Sequence, residues 1–410
     1  MQSVRAAEGT RSLRVLLLSD CWSPTINGVV RSVSDLRDGL AAAGHDVRVL
    51  TVGDSLATSF RDGVYRMGSL PAGAVYPHAR IGRPSGRRVR RHIEKWAPDV
   101  VHSHTEFPAF LWARSVSRRA SVPHVHTYHT AYEDYTHYFC PSRRVGRAMT
   151  RAFTRDRLRR TDRVIAPTEK VADLLRGYGV TNPLEVVGTG VDLDRFRPDD
   201  DRRDPAARAA RMSELGLDPA TPTVLTVGRL AAEKNLPETL DLLVGLENTP
   251  WQWLVVGDGP DAGRLREYAA RLGVSDRVHI IGAVPADEVH RCYGLGDVFV
   301  TSSRSETQGL TCLEALSSGV PAVCPDDEAF RGVIADGVNG HRYRGPEDFR
   351  EVMSALLTDP DLRDRMSAKA RDSARDRGRD RFIREVVGAY DRAIADAPAD
   401  APHVGGDTKR

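Results

Sequence analysis

Short apolar runs alternate with amphipathic stretches along this chain, and they do so in two series. In the first series, residues 14–19 (RVLLLS) and 47–52 (VRVLTV) read as strands buried on both faces, joined by an amphipathic helix over 29–43 that ends at Gly44. Strand, helix and strand with short links is the signature of a parallel sheet, whose neighbouring strands need a crossover between them. The pattern continues with strands at 99–102, 124–128, 164–166 and 184–187 and helices at 107–117 and 169–177. A charged break follows at 197–205 (RPDDDRRDP), with two prolines, and reads as a linker. The alternation then restarts, with strands at 223–227, 253–256, 279–281, 298–301 and 322–324 and helices at 237–246 and 262–272. At 410 residues the chain exceeds one ordinary domain. The expectation is an α/β protein with two doubly wound, Rossmann-like domains at 13–197 and 218–380, joined by a linker at 198–217. A flexible N-terminus (1–12), a C-terminal helix (381–395) and a disordered tail (396–410) complete the reading. Ligands of such sheets lie beyond the carboxyl ends of the strands, so two sheets facing each other would put the site in a cleft between domains.

Charge and cysteine content exclude several classes. The 59 Lys and Arg against 56 Asp and Glu leave a net charge of only +3, which points to no particular partner. Five cysteines with no C-x-x-C pair fit neither a closed disulfide framework nor a thiolate metal site. They read as reduced thiols in or near the core of a cytoplasmic protein. No run of 18 apolar residues is present to span a membrane, and the polar, Arg-containing start does not read as a secretory signal.

Chemistry concentrates at four places. Glu306-Thr-Gln-Gly309-Leu310-Thr-Cys-Leu-Glu314 follows the strand at 298–301 and opens a helix. A helix N-terminus offers backbone N–H groups and partial positive charge, which suit a phosphate, and Gly309 allows close approach. Glu306 stands ahead of that helix, able to accept from sugar hydroxyls, and Glu314 lies one to two turns along, where it could hold a ribose diol. Alone, the segment also fits a capped surface helix. The second place is Gly228-Arg229-Leu-Ala-Ala-Glu233-Lys234-Asn235, directly after the strand at 223–227. Fixed cations there can neutralise a diphosphate leaving group as negative charge grows on it. Third, Asn27-Gly28-Val29 sits where the first strand feeds the first helix, a weak phosphate signal without the full G-x-G-x-x-G. Gly257-Asp-Gly259-Pro-Asp-Ala-Gly263 is mis-spaced for a dinucleotide fingerprint and reads as a turn cluster.

Gly228-Arg229 with Glu233-Lys234-Asn235, and Glu306 to Glu314, resemble retaining glycosyltransferase family 4, whose fold is known as GT-B. The resemblance runs from about Leu13 to Tyr390 and includes Gly188-Thr189-Gly190-Val191-Asp192, where the family usually has Asn-Gly in place of Thr189-Gly190. It implies a hexose transferred from a nucleoside diphosphate sugar of the UDP-glucose or GDP-mannose type, with no cofactor and no metal ion. It further implies that Arg229 and Lys234 bind the diphosphate, Glu306 the sugar hydroxyls, the amides of Gly309 and Leu310 the phosphate, and Glu314 the ribose. Backbone from Gly282 to Val284 would meet the base, and His129 matches a histidine near the transferred sugar. Arg229, Lys234, Glu306 and His129 are thus the expected catalytic set.

The fourth place bears on the acceptor. Residues 124–138 (HVHTYHTAYEDYTHY) hold four histidines and four tyrosines, Tyr132 and Tyr135 among them. This stretch and Val101-His-Ser-His-Thr-Glu-Phe107 resemble the family 4 glucosyltransferases that act on 1,2-diacylglycerol. Basic clusters accompany it: Arg80, Arg83, Arg87, Arg88, Arg90, Arg91 and Lys95, then Arg143, Arg144, Arg147, Arg151, Arg155, Arg157, Arg159 and Arg160. A basic amphipathic helix fits an anionic membrane surface, and a solvated face in an Arg-rich chain fits the same residues. No nucleic-acid motif accompanies the charge. The expectation is a lipid glycosyltransferase, peripheral at the inner face of the membrane. The alternatives are a family 4 enzyme that uses GDP-mannose on a phosphoinositol lipid or soluble metabolite, a nucleotide-sugar 2-epimerase, and a non-enzymatic binder.

Overall fold

A computed structural model of the chain describes residues 11–25, 27–71, 80–82, 87–133, 142–198 and 204–397. Most of the flexible N-terminus and of the disordered tail read from the sequence lies outside the described residues, as do Arg83, Tyr135 and Cys140. The chain divides into two compact units, residues 1–190 with 379–410, and residues 191–378.

The first unit runs β1 (Arg14–Ser19), α1 (Gly28–Ala42), β2 (Asp46–Val52), β3 (Ser59–Arg61), β4 (Val64–Met67), β5 (Ser69–Pro71), β6 (Arg80–Gly82), α2 (Arg87–Trp96), β7 (Val100–Ser103), α3 (Pro108–Ala120), β8 (His124–Thr127), α4 (Arg143–Leu158), β9 (Arg163–Ala166), α5 (Glu169–Gly177) and β10 (Leu184–Val186). Its main sheet has the order β10-β9-β8-β7-β1-β2-β4-β3, parallel except for the edge strand β3. β5 and β6 form a separate antiparallel pair. Burial on both faces explains the unbroken apolar run of β1. Val15 and Leu17 pack with Val33, Leu36 and Leu40 of α1, while Leu16 and Leu18 pack with Ile93 of α2 and with Ala109 and Ala113 of α3. The chain leaves β1 toward β2 on one side and returns at β7 on the other, so the winding reverses between them. Such a reversal opens a crevice at the carboxyl ends of the two strands. Asp20 and His104 follow those ends.

The second unit runs α6 (Pro205–Glu214), β11 (Thr223–Val227), α7 (Leu236–Val244), β12 (Gln252–Val256), α8 (Ala262–Arg271), β13 (Val278–Gly282), α9 (Val289–Tyr293), β14 (Val298–Val300), α10 (Leu310–Ser317), β15 (Ala322–Pro325), β16 (Gly340–Tyr343), α11 (Pro346–Thr358) and α12 (Pro360–Ala374). Its sheet is parallel throughout, in the order β13-β12-β11-β14-β15-β16. Here the winding reverses between β11 and β14. Those two strands lead into Gly228-Arg229 and into the loop that carries Glu306.

The stretch read as a linker departs from expectation. Asp204 accepts hydrogen bonds from the backbone N–H groups of Ala206 and Ala207, and Pro205 occupies the first turn of α6. An Asp cap followed by Pro at the first helical position is a start signal, since Pro lacks only an N–H that the first turn leaves unpaired anyway. Met212 of α6 is buried in the core of the second unit with Val191 and Phe196, which places the start of that unit at Val191, ahead of the charged break.

The last helix, α13 (Arg379–Ala395), belongs to the first unit. Phe382, Ile383, Val386, Val387 and Tyr390 repeat at helical spacing and pack with β1 and α1. Contact is close at Gly39, where an added Cβ would lie 2.5 Å from the Ile383 side chain.

Candidate active site

In the second unit, two loops from the point of reversal are joined side chain to side chain. β11 ends in Gly228, whose φ of 150° suits glycine. Arg229 follows and is exposed. A 3-10 turn over Ala232–Lys234 ends at Asn235 in the left-handed region, with φ 51°. The turn delivers Lys234 Nζ to within 2.5 Å of Glu306 Oε1. Both side chains keep partial access to solvent, 25% for Lys234 and 15% for Glu306. A second tie holds the same loops apart from this pair. Arg304 donates to both oxygens of Glu238, at 2.6 and 2.7 Å, and Asn235 Nδ2 donates to the same carboxylate. The bond from Arg304 holds the Glu238 carboxyl below its ordinary range. The hydroxyls of Ser303 and Ser305 both donate to Glu233 O. Lys234 and Glu306, far apart in sequence, therefore form one rigid cationic and acidic pair.

The glycine cluster after β12 is part of this construction. Gly228 N–H donates to Val256 O at 2.9 Å and Leu230 N–H to Asp258 O at 3.0 Å. A Cβ on Gly257 would meet Gly228 O at 1.8 Å, and one on Gly259 would meet Leu230 O at 2.2 Å. These glycines let the loops abut. Gly282, with φ 83°, ends β13 and accepts from Gly257 N–H at 2.8 Å, and Val284 packs on the unit's core.

Gly309 caps α10 with φ 73°, its Cα hydrogen face against the Phe330 ring, 2.7 Å from where a Cβ would sit. Gly309 O accepts from the backbone N–H groups of Cys312, at 3.0 Å, and Leu313, at 3.2 Å, which closes the first turn of α10. Glu314 lies in α10, half-buried, and Tyr293 of α9 donates its hydroxyl to Glu314 Oε2 at 2.7 Å. Nothing in the sequence pattern pointed to Tyr293, Arg304 or Glu238. All three act through partners brought near only by the fold.

In the first unit, Gly28 opens α1 behind Asn27, whose side chain caps the helix by accepting from Val30 N–H at 2.8 Å. Along β7 and β8 and just past their ends runs a histidine array. His102 bonds Tyr390 OH and Thr127 Oγ1, and Ser103 Oγ bonds both His124 and His126 at 2.7 Å. His126 Nε2 is 3.2 Å from Glu106 Oε1, whose other oxygen accepts from the Tyr132 hydroxyl. His129 Nε2 meets His104 Nδ1 at 3.0 Å. Burial pushes the pKa of His124 and of His129 down to about 3 and those of His102 and His104 well below the usual range. His129 is therefore a neutral imidazole, able to take part in a hydrogen bond but not to act as a cation. Asp20, just past β1, accepts from Ala109 N–H, and burial raises its pKa to about 6. Its place at a strand's carboxyl end was the one available clue.

The remaining sequence candidates lie on α4 and beside it. Arg143 opens α4, and Arg144, Arg147 and Arg151 are exposed along it. Arg147 reaches Glu133 at 3.8 Å. Val145 and Met149 are more than half exposed on the same helix, and Phe107 and Leu111 of the neighbouring segment are nearly so. Phe107 stacks on Phe153 and meets Tyr132 edge-on, which joins the apolar patch to the histidine array. Among the described residues no helix is long and apolar enough to cross a membrane, and no three His, Cys, Asp or Glu side chains are grouped to hold a metal ion.

The pattern of Glycosyltransferase Family 4 matches residues 26–195, and that of Glycosyl transferases group 1 matches residues 208–373. An alpha-monoglucosyldiacylglycerol synthase of Streptococcus pneumoniae is 31% identical over 85% of this chain and 80% of its own. The chain belongs to glycosyltransferase family 4. This glycosyltransferase is also 30% identical to a D-inositol 3-phosphate glycosyltransferase of Xylanimonas cellulosilytica, over 95% of this chain and 99% of that one. Sucrose-phosphate synthase from Thermosynechococcus elongatus has the same fold, with a TM-score of 0.73 at 19% identity over 94% of this chain and all of that one. The two Rossmann-like units of the glycosyltransferase are thus a GT-B fold.

Proposed function

We propose that this glycosyltransferase moves glucose from UDP-glucose to the free hydroxyl of a diacylglycerol at an anionic membrane surface, with retention of anomeric configuration. The exposed apolar side chains of α4 and Phe107, set among Arg144, Arg147 and Arg151 and continuous with Tyr132, carry the choice of a lipid acceptor. Such a surface buries apolar groups at the headgroup boundary while each cation gains about 1 kcal/mol near anionic lipid. The similarity to the pneumococcal synthase supports the same acceptor class.

On this reading the second unit holds the donor. Arg229, Lys234 and the amides of Gly309 and Leu310 meet the diphosphate, Glu306 the sugar hydroxyls, Glu314 the ribose, and backbone from Gly282 to Val284 the base. Gly28 adds its amide to the phosphate side, and neutral His129 hydrogen-bonds the transferred sugar. The bond from the anomeric carbon to the phosphate oxygen breaks and a bond from that carbon to the acceptor oxygen forms on the same face. The acceptor proton passes to the departing phosphate. Arg229 and Lys234 supply the charge that stabilises that phosphate, so the reaction needs no cofactor. Tyr132 and the arginines of α4 face the acceptor side, peripheral to the cytoplasmic leaflet.

Radiolabelled UDP-glucose with mixed vesicles of diacylglycerol and anionic phospholipid tests the proposal. Label in the organic phase is expected, and its yield should fall when the anionic lipid is replaced by neutral lipid. Label that appears only on a soluble acceptor such as an inositol phosphate, or only from GDP-mannose, would overturn it.

A further inference from the structure

We infer that Tyr293 is a positioning residue for nucleotide recognition, fixing the plane of the Glu314 carboxylate so that it reads the two ribose hydroxyls of the donor together. The inference rests on the reading of Glu314 as the ribose contact and adds a residue that touches no ligand itself.

Three observations carry it. First, the Tyr293 hydroxyl donates to Glu314 Oε2 at 2.7 Å, a charge-assisted bond, while its distance to Thr311 O is longer at 3.3 Å. Second, the Tyr293 ring cannot move. It is fully buried in the core of the second unit, edge-on to Phe196 and against Phe299. Burial and the neighbouring Glu314 carboxylate keep its hydroxyl protonated, hence a permanent donor. Third, the two partners come from different helices, α9 and α10, so the bond sets the carboxylate relative to the unit as a whole and not only to its own helix.

A glutamate has three rotatable side-chain bonds. Unrestrained on a helix surface, it would lose that freedom when it engages two hydroxyls at once, at a cost to affinity. A carboxylate already held in one plane avoids the loss. The same restraint makes recognition depend on both hydroxyls, because a fixed carboxylate left facing a missing hydroxyl cannot turn to another partner.

The test compares binding of UDP and 2′,3′-dideoxy-UDP by calorimetry in the wild type, Tyr293→Phe and Glu314→Gln. Phenylalanine keeps the ring and its packing, so the fold should survive, and circular dichroism with thermal melting checks it. Tyr293→Phe is expected to weaken UDP binding about tenfold and to leave dideoxy-UDP binding unchanged. Equal losses for both nucleotides would reduce Tyr293 to a packing residue and overturn the inference, as would no loss for either. A wild type that binds UDP and dideoxy-UDP equally tightly, with Glu314→Gln without effect, would instead overturn the ribose reading of Glu314.

Discussion

Replacing Gly257 with alanine should disable the proposed donor site without touching any proposed ligand contact. The new Cβ would lie 1.8 Å from Gly228 O, whereas real Cβ contacts essentially never fall below 3.0 Å. One of the two loops must therefore move by about 1.2 Å, the difference between those distances. Gly257 also has φ 141°, a region L side chains rarely adopt, which adds strain of about 1–3 kcal/mol. Gly228 immediately precedes Arg229 and is tied to β12 through Val256 O, so the displacement passes straight into the loop proposed to meet the diphosphate. A misplacement of about 1 Å in positioning groups costs on the order of 10²-fold in rate. Steady-state transfer with UDP-glucose as the varied substrate should show kcat/KM down by about that factor, with Tm lowered by several degrees. Gly263→Ala is the control from the same cluster. That position is exposed with nothing within 4 Å of an added Cβ. It sits in α8, so alanine should stabilise by about 0.5–1 kcal/mol and leave activity unchanged. A Gly257→Ala enzyme within twofold of wild type in kcat/KM, with an unshifted Tm, would refute the account of how these loops are built.

Four further outcomes follow from the structure. Lys234→Met removes the cation paired with Glu306 and should lower kcat by about 10²–10³-fold, read from initial rates at saturating donor. The double change Val145→Asp and Met149→Asp should abolish sedimentation with anionic vesicles while calorimetric UDP affinity stays the same, because it adds negative charge to the exposed face of α4. Stability should fall in acid for a stated reason: His124 and His129 titrate at about 3 in the folded protein and near 6.5 when unfolded. Below pH 6.5 the unfolded chain takes up the protons, so each contributes a loss of about 1.4 kcal/mol per pH unit until pH 3, measurable by urea titration. Asp20 works in the opposite sense. Its folded pKa of about 6 exceeds the ordinary 3.8, so it costs stability as pH rises through that interval, and Asp20→Asn should gain about 2–3 kcal/mol at pH 7.5 and nothing at pH 3.5.

Periodicity made the two parallel sheets readable, because strands covered on both faces leave unbroken apolar runs such as those of β1, β11 and β12. It failed where burial is one-sided or brief. β3 has no buried residue and β16 reads Gly-His-Arg-Tyr, so neither shows a strand pattern, although register with β4 and β15 places both. The helix α6 was hidden inside a charged, proline-containing break whose Asp204-Pro205 pair was its start signal. Motif spacing located Arg229, Lys234, Glu306 and Glu314, each at a strand's carboxyl end or the helix after it. What spacing cannot carry is contact across the sheet. The Lys234–Glu306 pair, the Arg304–Glu238 tie and the Tyr293–Glu314 bond join residues 72, 66 and 21 positions apart. The histidines of β7, β8 and the loop after it were visible as a cluster, but their neutrality follows from burial, which the sequence does not show.

The product formed from UDP-glucose and diacylglycerol tests the central claim most directly. Extracted lipid, analysed by proton NMR at the anomeric position, is predicted to be a monoglucosyldiacylglycerol with the α configuration of the donor retained. A β-linked product would contradict the retaining mechanism, and unaltered diacylglycerol beside consumed UDP-glucose would contradict the lipid acceptor.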